Sequence, residues 1–114
     1  MSEIIELDRT NFDQEVRRAS MPVVVEFVTN WCEFCEELEP VVEELAEDYD
    51  GTIKVARVAV DEHGRLANDY HIADVPTFLA FHRGNILQRK AGELTADDVE
   101  AMFGYLTDLP RVSA

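Results

Sequence analysis

Cys32 and Cys35 are the only cysteines in the chain, two residues apart in the stretch NWCEFCEELEP, residues 30 to 40. A pair at that spacing suits four roles: a zinc clip, a covalent haem attachment, an inert core pair, or a redox couple. Zinc needs four ligands. There is no second such pair, and His63, His71 and His82 have no matching paired spacing. Haem attachment wants histidine directly after the second cysteine, where this chain has Glu36. A static bridge here would close a very short loop and gain little chain entropy. Reducing compartments also keep such pairs open unless they cycle. The residues favour the redox couple, with an inert core pair as the alternative.

The motif lies where a strand hands over to a helix. Val23 to Val28, VVVEFV, is the strongest strand in the chain, and its near-continuous apolar character suits burial on both faces. Thr29-Asn30-Trp31 is the turn. A helix is expected from about Glu33 to Asp50, with Phe34, Leu38, Val41, Val42, Leu45 and Tyr49 spaced for one buried stripe. Pro40 should kink it and Gly51 end it. Before this unit, Ile4 to Leu7 is a short strand. A helix to about Ala19 follows, with Thr10 as N-cap and Asp13 completing a capping box. After it come a strand from Ile53 to Val60 and a short helix within 62–70. The loop HIADVP leads into a strand from Thr77 to His82. Gly84-Asn85 signals a tight turn into a strand from Ile86 to Lys90. Thr95 and Asp98 open a last helix carrying Val99, Met102, Phe103 and Leu106, with Pro110 beyond its end. This order predicts parallel crossovers first and a hairpin plus helix last, hence a mixed sheet with helices on both faces.

That placement gives the cysteines their chemistry. The first amides of a helix lack internal partners, and the helix dipole adds about half a positive charge there. Half a charge about 4 Å from a thiolate, at an effective dielectric near about 20, stabilises it by ~2 kcal/mol. One carboxylate about 10 Å away, at an effective dielectric near about 40, opposes it by only ~0.8 kcal/mol. The helix wins, narrowly if both Glu33 and Glu36 point inward. An exposed Cys32 would attack a target disulfide, and Cys35, one turn along, would resolve the mixed disulfide. Glu26 interrupts VVVEFV at a position expected to be buried near the motif. Either it turns to a wet face or a local hydrogen bond, or it is a carboxyl of raised pKa that accepts the Cys35 proton.

The bulk composition sets limits. At 114 residues the chain is expected to form one domain, burying roughly two-thirds of its extended surface. A net charge of −14 argues against nucleic acid and anionic lipid as partners. No stretch approaches the roughly 20 apolar residues that span a bilayer. The opening residues MSEIIELDRT show neither a basic nor an apolar leader region, so the expected location is cytoplasmic. No Lys or Arg occurs from Ala19 to Ile53, while acids crowd that stretch. They form a solvated helix face or a surface that selects which partners dock near the cysteines.

Taken together, VVVEFV, the Trp31-Cys32-x-x-Cys35 motif, Pro40 five residues after the second cysteine, Val75-Pro76-Thr77, Gly84 and Gly92 resemble the thioredoxin family over nearly the whole chain. The resemblance implies a thioredoxin fold, a five-stranded mixed sheet flanked by four helices. It implies Pro76 in the cis form beside the cysteines, where a substrate strand can pair. Trp31, Phe34, Ile72, Ala73, Asp74, Val75 and Gly92 would surround Cys32 as a docking surface. For Trp31 and Phe34 plain core packing is the competing reading. Arg57 stands where the family usually has a lysine near the buried acid.

The chain departs from that pattern at Glu33-Phe34 for the common Gly-Pro, Glu26 for Asp, Glu36 for Lys, and the added Asp74. The extra acids should make the couple more reducing, whereas loss of Gly-Pro pulls the other way. The implied function is a dithiol–disulfide oxidoreductase that reduces client proteins and is recharged by a flavin- or ferredoxin-linked reductase. It would work as a monomer without cofactor or metal. A disulfide isomerase or oxidant, or a binding or assembly module on the same fold, are the alternatives.

Overall fold

The structure is a computed structural model that describes residues 4–109. In chain order it contains β1 (Ile5–Glu6), a π-helical turn (Asp13–Arg17), β2 (Val23–Val28), α1 (Glu33–Asp48), β3 (Lys54–Ala59), α2 (Gly64–Asp69), β4 (Thr77–His82), β5 (Asn85–Ala91) and α3 (Ala96–Thr107). The five strands form one sheet in the order β1-β3-β2-β4-β5. β1 and β2 run parallel to β3, while β4 pairs antiparallel with β2 and β5 with β4. This is the five-stranded mixed sheet with four helical segments that the resemblance implies.

Side-chain alternation along β2 divides the core in two. Val23, Val25 and Phe27 join Phe12 and Val16 around the π-turn, and Leu66 and Ala67 of α2. Val24 joins Leu38, Val42 and Leu45 of α1 and Met102, Phe103 and Leu106 of α3 on the other face. Glu26 alternates onto this second face, under the cysteine-bearing helix.

Three local expectations are corrected. Thr10 does not cap the first helix: its hydroxyl bonds Asp8 Oδ1, and Asp8 itself accepts from the Thr10 and Asn11 amides. Asn11 Oδ1 returns a bond from the Asp8 amide, so the reciprocal box is Asp8 with Asn11, two residues earlier than expected. The segment then winds as a π-turn, with the Arg18 amide bonded to Asp13 O at 2.9 Å, and stops before Ala19. The β4–β5 turn is Arg83-Gly84, at φ 54° and 82°, and Asn85 already pairs with His82. A two-residue hairpin of this twist needs left-handed backbone at both central positions, and Arg83 takes the first. Gly84 also approaches the π-turn closely, since a Cβ there would lie 3.3 Å from Arg17 O.

Pro40 stands inside α1, which continues past it to Asp48, two residues short of the expected end. The Thr95–Asp98 capping box opens α3 as read from the sequence; Pro110, expected beyond that helix, lies outside the described residues. Among the described residues no helix is long and apolar enough to cross a membrane.

Candidate active site

Cys32 is the N-cap of α1, in extended conformation at φ −91°, ψ 108°. The motif is oxidised: Cys32 and Cys35 form a disulfide across a Cα–Cα distance of 5.2 Å. Cys32 Sγ also accepts the Cys35 amide at 3.1 Å, one of the first-turn donors that a helix leaves unpaired. The acids that oppose a thiolate there, Glu33 and Glu36, are both exposed, so water weakens their field.

The expected exposure of Cys32 is not met. Cys32 is 7% and Cys35 8% accessible, because each sulfur is bonded to the other and Sγ of Cys32 is drawn into the first helical turn. What stands in solvent is the neighbouring Trp31, 72% exposed, together with Phe34. Core packing is thereby excluded as the reason for these two aromatics.

Beneath the helix lies an ion cluster. Glu26 on β2 is 2% exposed, so the wet-face alternative does not hold. Its neighbour in register on β3 is Arg57, whose Nε donates to Glu26 Oε1 at 2.6 Å. Burial pushes the Glu26 carboxyl up to about 7 despite the pull of the guanidinium, and the charges of Glu39 and Glu6 push the same way. Arg57 is shared: Nη2 bonds Glu39 of α1, and Nη1 lies 3.4 Å from Glu6 of β1. Arg57, Glu39 and Cys35 together face a cavity of about 690 Å³, whose wall continues through Val28 and Thr29. An open space thus reaches the second cysteine from the side of Arg57 and Glu39, while Glu26 lies behind Arg57 and does not line it.

Glu39 and Glu6 were missed as members of this cluster. Glu39 read as one acid in a solvated run, although its spacing of four residues from Cys35 places both on one helix face.

The proline loop closes the other side. The Val75–Pro76 bond is cis, and Pro76 is buried. Thr77 Oγ1 bonds Asp74 O at 2.5 Å, and the Gly92 amide bonds Pro76 O at 3.0 Å with Gly92 at φ +90°. The sheet brings these parts to one end: Thr77 pairs with Phe27 near the end of β2 and with Ala91 at the end of β5. The β2 end leads directly into Trp31 and Cys32. Ala73 and Asp74 are exposed, and Val75 and Gly92 half-buried. Ile72 instead leans on the core cluster around the π-turn and α2, so it belongs only partly to the surface.

Comparison with known proteins gives the family. The thioredoxin family model matches residues 3–104. The chain is 34% identical to the thioredoxin of Pseudomonas aeruginosa over 104 residues, covering 90% of this chain and 96% of that protein. It is 37% identical to thioredoxin 1 of a Nostoc species over 92 residues, 81% of this chain and 86% of that one. The thioredoxin of Buchnera aphidicola is 36% identical over 95 residues, 83% and 88% of the two chains.

Proposed function

This chain belongs to the thioredoxin family and is a thiol–disulfide oxidoreductase; from that premise we propose how its own residues divide the work. In the dithiol form, Cys32 is the nucleophile. Its thiolate occupies the helix N-cap and keeps the Cys35 amide as a donor. It attacks a disulfide of a client protein, forming a Cys32–client bond while the client's other sulfur leaves and takes a proton. Cys35 resolves: its sulfur attacks Cys32 Sγ, the mixed disulfide breaks, and the second client thiol departs. Two electrons have passed to the client, and a reductase returns two to the new Cys32–Cys35 bond.

Glu26 is the proton acceptor for Cys35. A carboxyl titrating at about 7 is part ionised at neutral pH, so it can both take a proton and release it. Trp31 and Phe34, with Ala73, Asp74, Val75 and Gly92 around Pro76, form the surface on which an extended client segment docks. The observation that carries this division is that Cys32 accepts the helix amide while Cys35 shares a cavity with Arg57, the partner of Glu26.

Clients and a reductase are the partners the family brings. The acids exposed along α1, from Glu33 to Asp48, select partners with basic docking patches. A flavin-linked and a ferredoxin-linked reductase both suit this chemistry, and assay with each donor system separates them. The protein acts as a monomer in the cytoplasm. Its sheet edges support that state: β1 is two residues long, and β5 carries Arg89 and Lys90.

The test is a Cys35→Ser variant used as bait. Turnover of insulin disulfides with dithiothreitol as donor should fall by roughly a thousandfold or more, as when one member of a catalytic unit is lost. The variant should accumulate mixed disulfides through Cys32. A variant that traps no protein, in a sample whose wild type reduces insulin, would overturn the assignment of the two cysteines. Failure of the wild type itself to reduce insulin would favour a binding module.

A further inference from the structure

Glu39 stands one turn beyond Cys35 on α1, on the same helix face, and its carboxylate reaches Arg57 Nη2. The same guanidinium holds Glu26 through Nε. Arg57 therefore serves two very different carboxylates, one side chain 33% exposed and one only 2%. We propose that Glu39 is a positioning residue: by dividing Arg57 with Glu26, it sets how readily Glu26 takes and releases the Cys35 proton in the resolving step. This rests on the role of Glu26 given above.

A guanidinium can close on one carboxylate with two parallel bonds. Here its donors are split among three elements: Nε to β2, Nη2 to α1 and, more loosely, Nη1 to Glu6 of β1. Glu26 receives one short bond instead of a fork, and the cation beside it is offset by a second anion on Nη2. Burial is the larger cause of Glu26's raised pKa, and Glu39 adds to it in the same direction. The other titratable groups toward the cavity are Asp8 after β1, Glu36 of α1, and Glu62 with His63 after β3. Among the described residues, none of these four bonds Arg57.

The consequence falls on one proton. As Cys35 gives its proton to Glu26, its sulfur bonds Cys32 Sγ, and the client sulfur leaves with the electron pair of the broken bond. Glu26 must then release the proton to water before the next cycle. A carboxylate held too firmly by Arg57 would be a weak base, and one left alone would keep its proton.

The test follows the Glu26 carboxyl by ¹³C NMR during a pH titration of the reduced protein, with Glu26→Gln used to assign the signal. Glu39→Gln should move its midpoint down by about one pH unit, because Arg57 is freed to close on Glu26. The pH profile of single-turnover resolution should move the same way. Glu39→Asp should keep most of the wild-type midpoint. Glu43→Gln makes the same change in net charge further along α1, at an exposed site, and should leave the midpoint in place. An unmoved midpoint in a folded Glu39→Gln protein overturns the proposal, as does an equal shift in Glu43→Gln. A midpoint that moves while the resolution profile stays put instead overturns the role of Glu26, so the two failures are distinguishable.

Discussion

The two faces of β2 are built on different terms. Toward the π-turn and α2, Val23, Val25 and Phe27 are all at most 1% exposed and belong to an apolar cluster without a buried charge. Toward α1, the row begins with Val24 in the core, continues with Glu26 in the ion cluster, and ends with Val28 at the cavity. The same strand thus anchors the fold with one face and sets up acid–base chemistry with the other. A carboxylate in a core position costs stability whenever it is charged. That cost sits beside Arg57 and under α1, and Val24 on the same face packs normally with α1 and α3. Stability on the carbon face should therefore be independent of pH, and on the Glu26 face it should not.

The sharpest contrast comes from deleting one side chain on each face. Phe27→Ala should lose about 3–5 kcal/mol by urea denaturation, since Phe27 is fully buried, and lose the same at pH 5 and pH 8. A loss that differed between those two pH values would break the contrast.

Glu26→Gln should behave in the opposite way. The carboxyl holds its proton at about 7 in the folded chain against 4.5 for the ordinary group. Between those values the folded state binds more protons than the unfolded, so stability falls as pH rises from about 4.5 through about 7. Removing the charge should leave stability unchanged near pH 4 and gain up to about 3 kcal/mol at pH 8. The same variant should slow the resolving step by roughly a hundredfold at neutral pH. A variant no more stable than wild type at pH 8 would show that Arg57 fully offsets the burial.

Smaller effects test how far each region extends. Thr95→Ala removes the hydroxyl that caps α3, whose far side packs on the Glu26 face. It should cost about 1 kcal/mol, with no change in insulin reduction. Trp31→Ala should shift stability by less than about 0.5 kcal/mol, because Trp31 is mostly in solvent. Its effect should appear as a rise of about tenfold in KM for protein disulfides. A large loss of stability instead would return Trp31 to the core.

Much of the site was legible because its signals are local. VVVEFV alternates only at Glu26, and the cysteines follow at the point where strand periodicity gives way to helix periodicity. The Thr95–Asp98 box was legible for the same reason, since its two partners lie three residues apart. The cap of the early helix was not, because Asp8 and Thr10 are both competent caps, and Asp8 is the one bonded reciprocally with Asn11. The turn at Arg83 was missed because left-handed backbone at a non-glycine residue leaves little trace in residue type.

By itself, the sequence determined what depends on neighbours along the chain: the strand, the helix start, and two sulfurs one turn apart at its amides. Beyond the nearness of Arg57 to Glu26 that the family resemblance implied, only the tertiary structure decided which charges meet. Glu6, Glu26, Glu39 and Arg57 come from four elements, and their encounter depends on the strand register that sets Glu26 beside Arg57 and on where α1 lies over the sheet. The fold also left Trp31 in solvent, which its residue type alone did not decide. Local propensities act over a few residues, but a buried charge takes its partner from whatever the fold brings within reach, and no spacing in the chain records that.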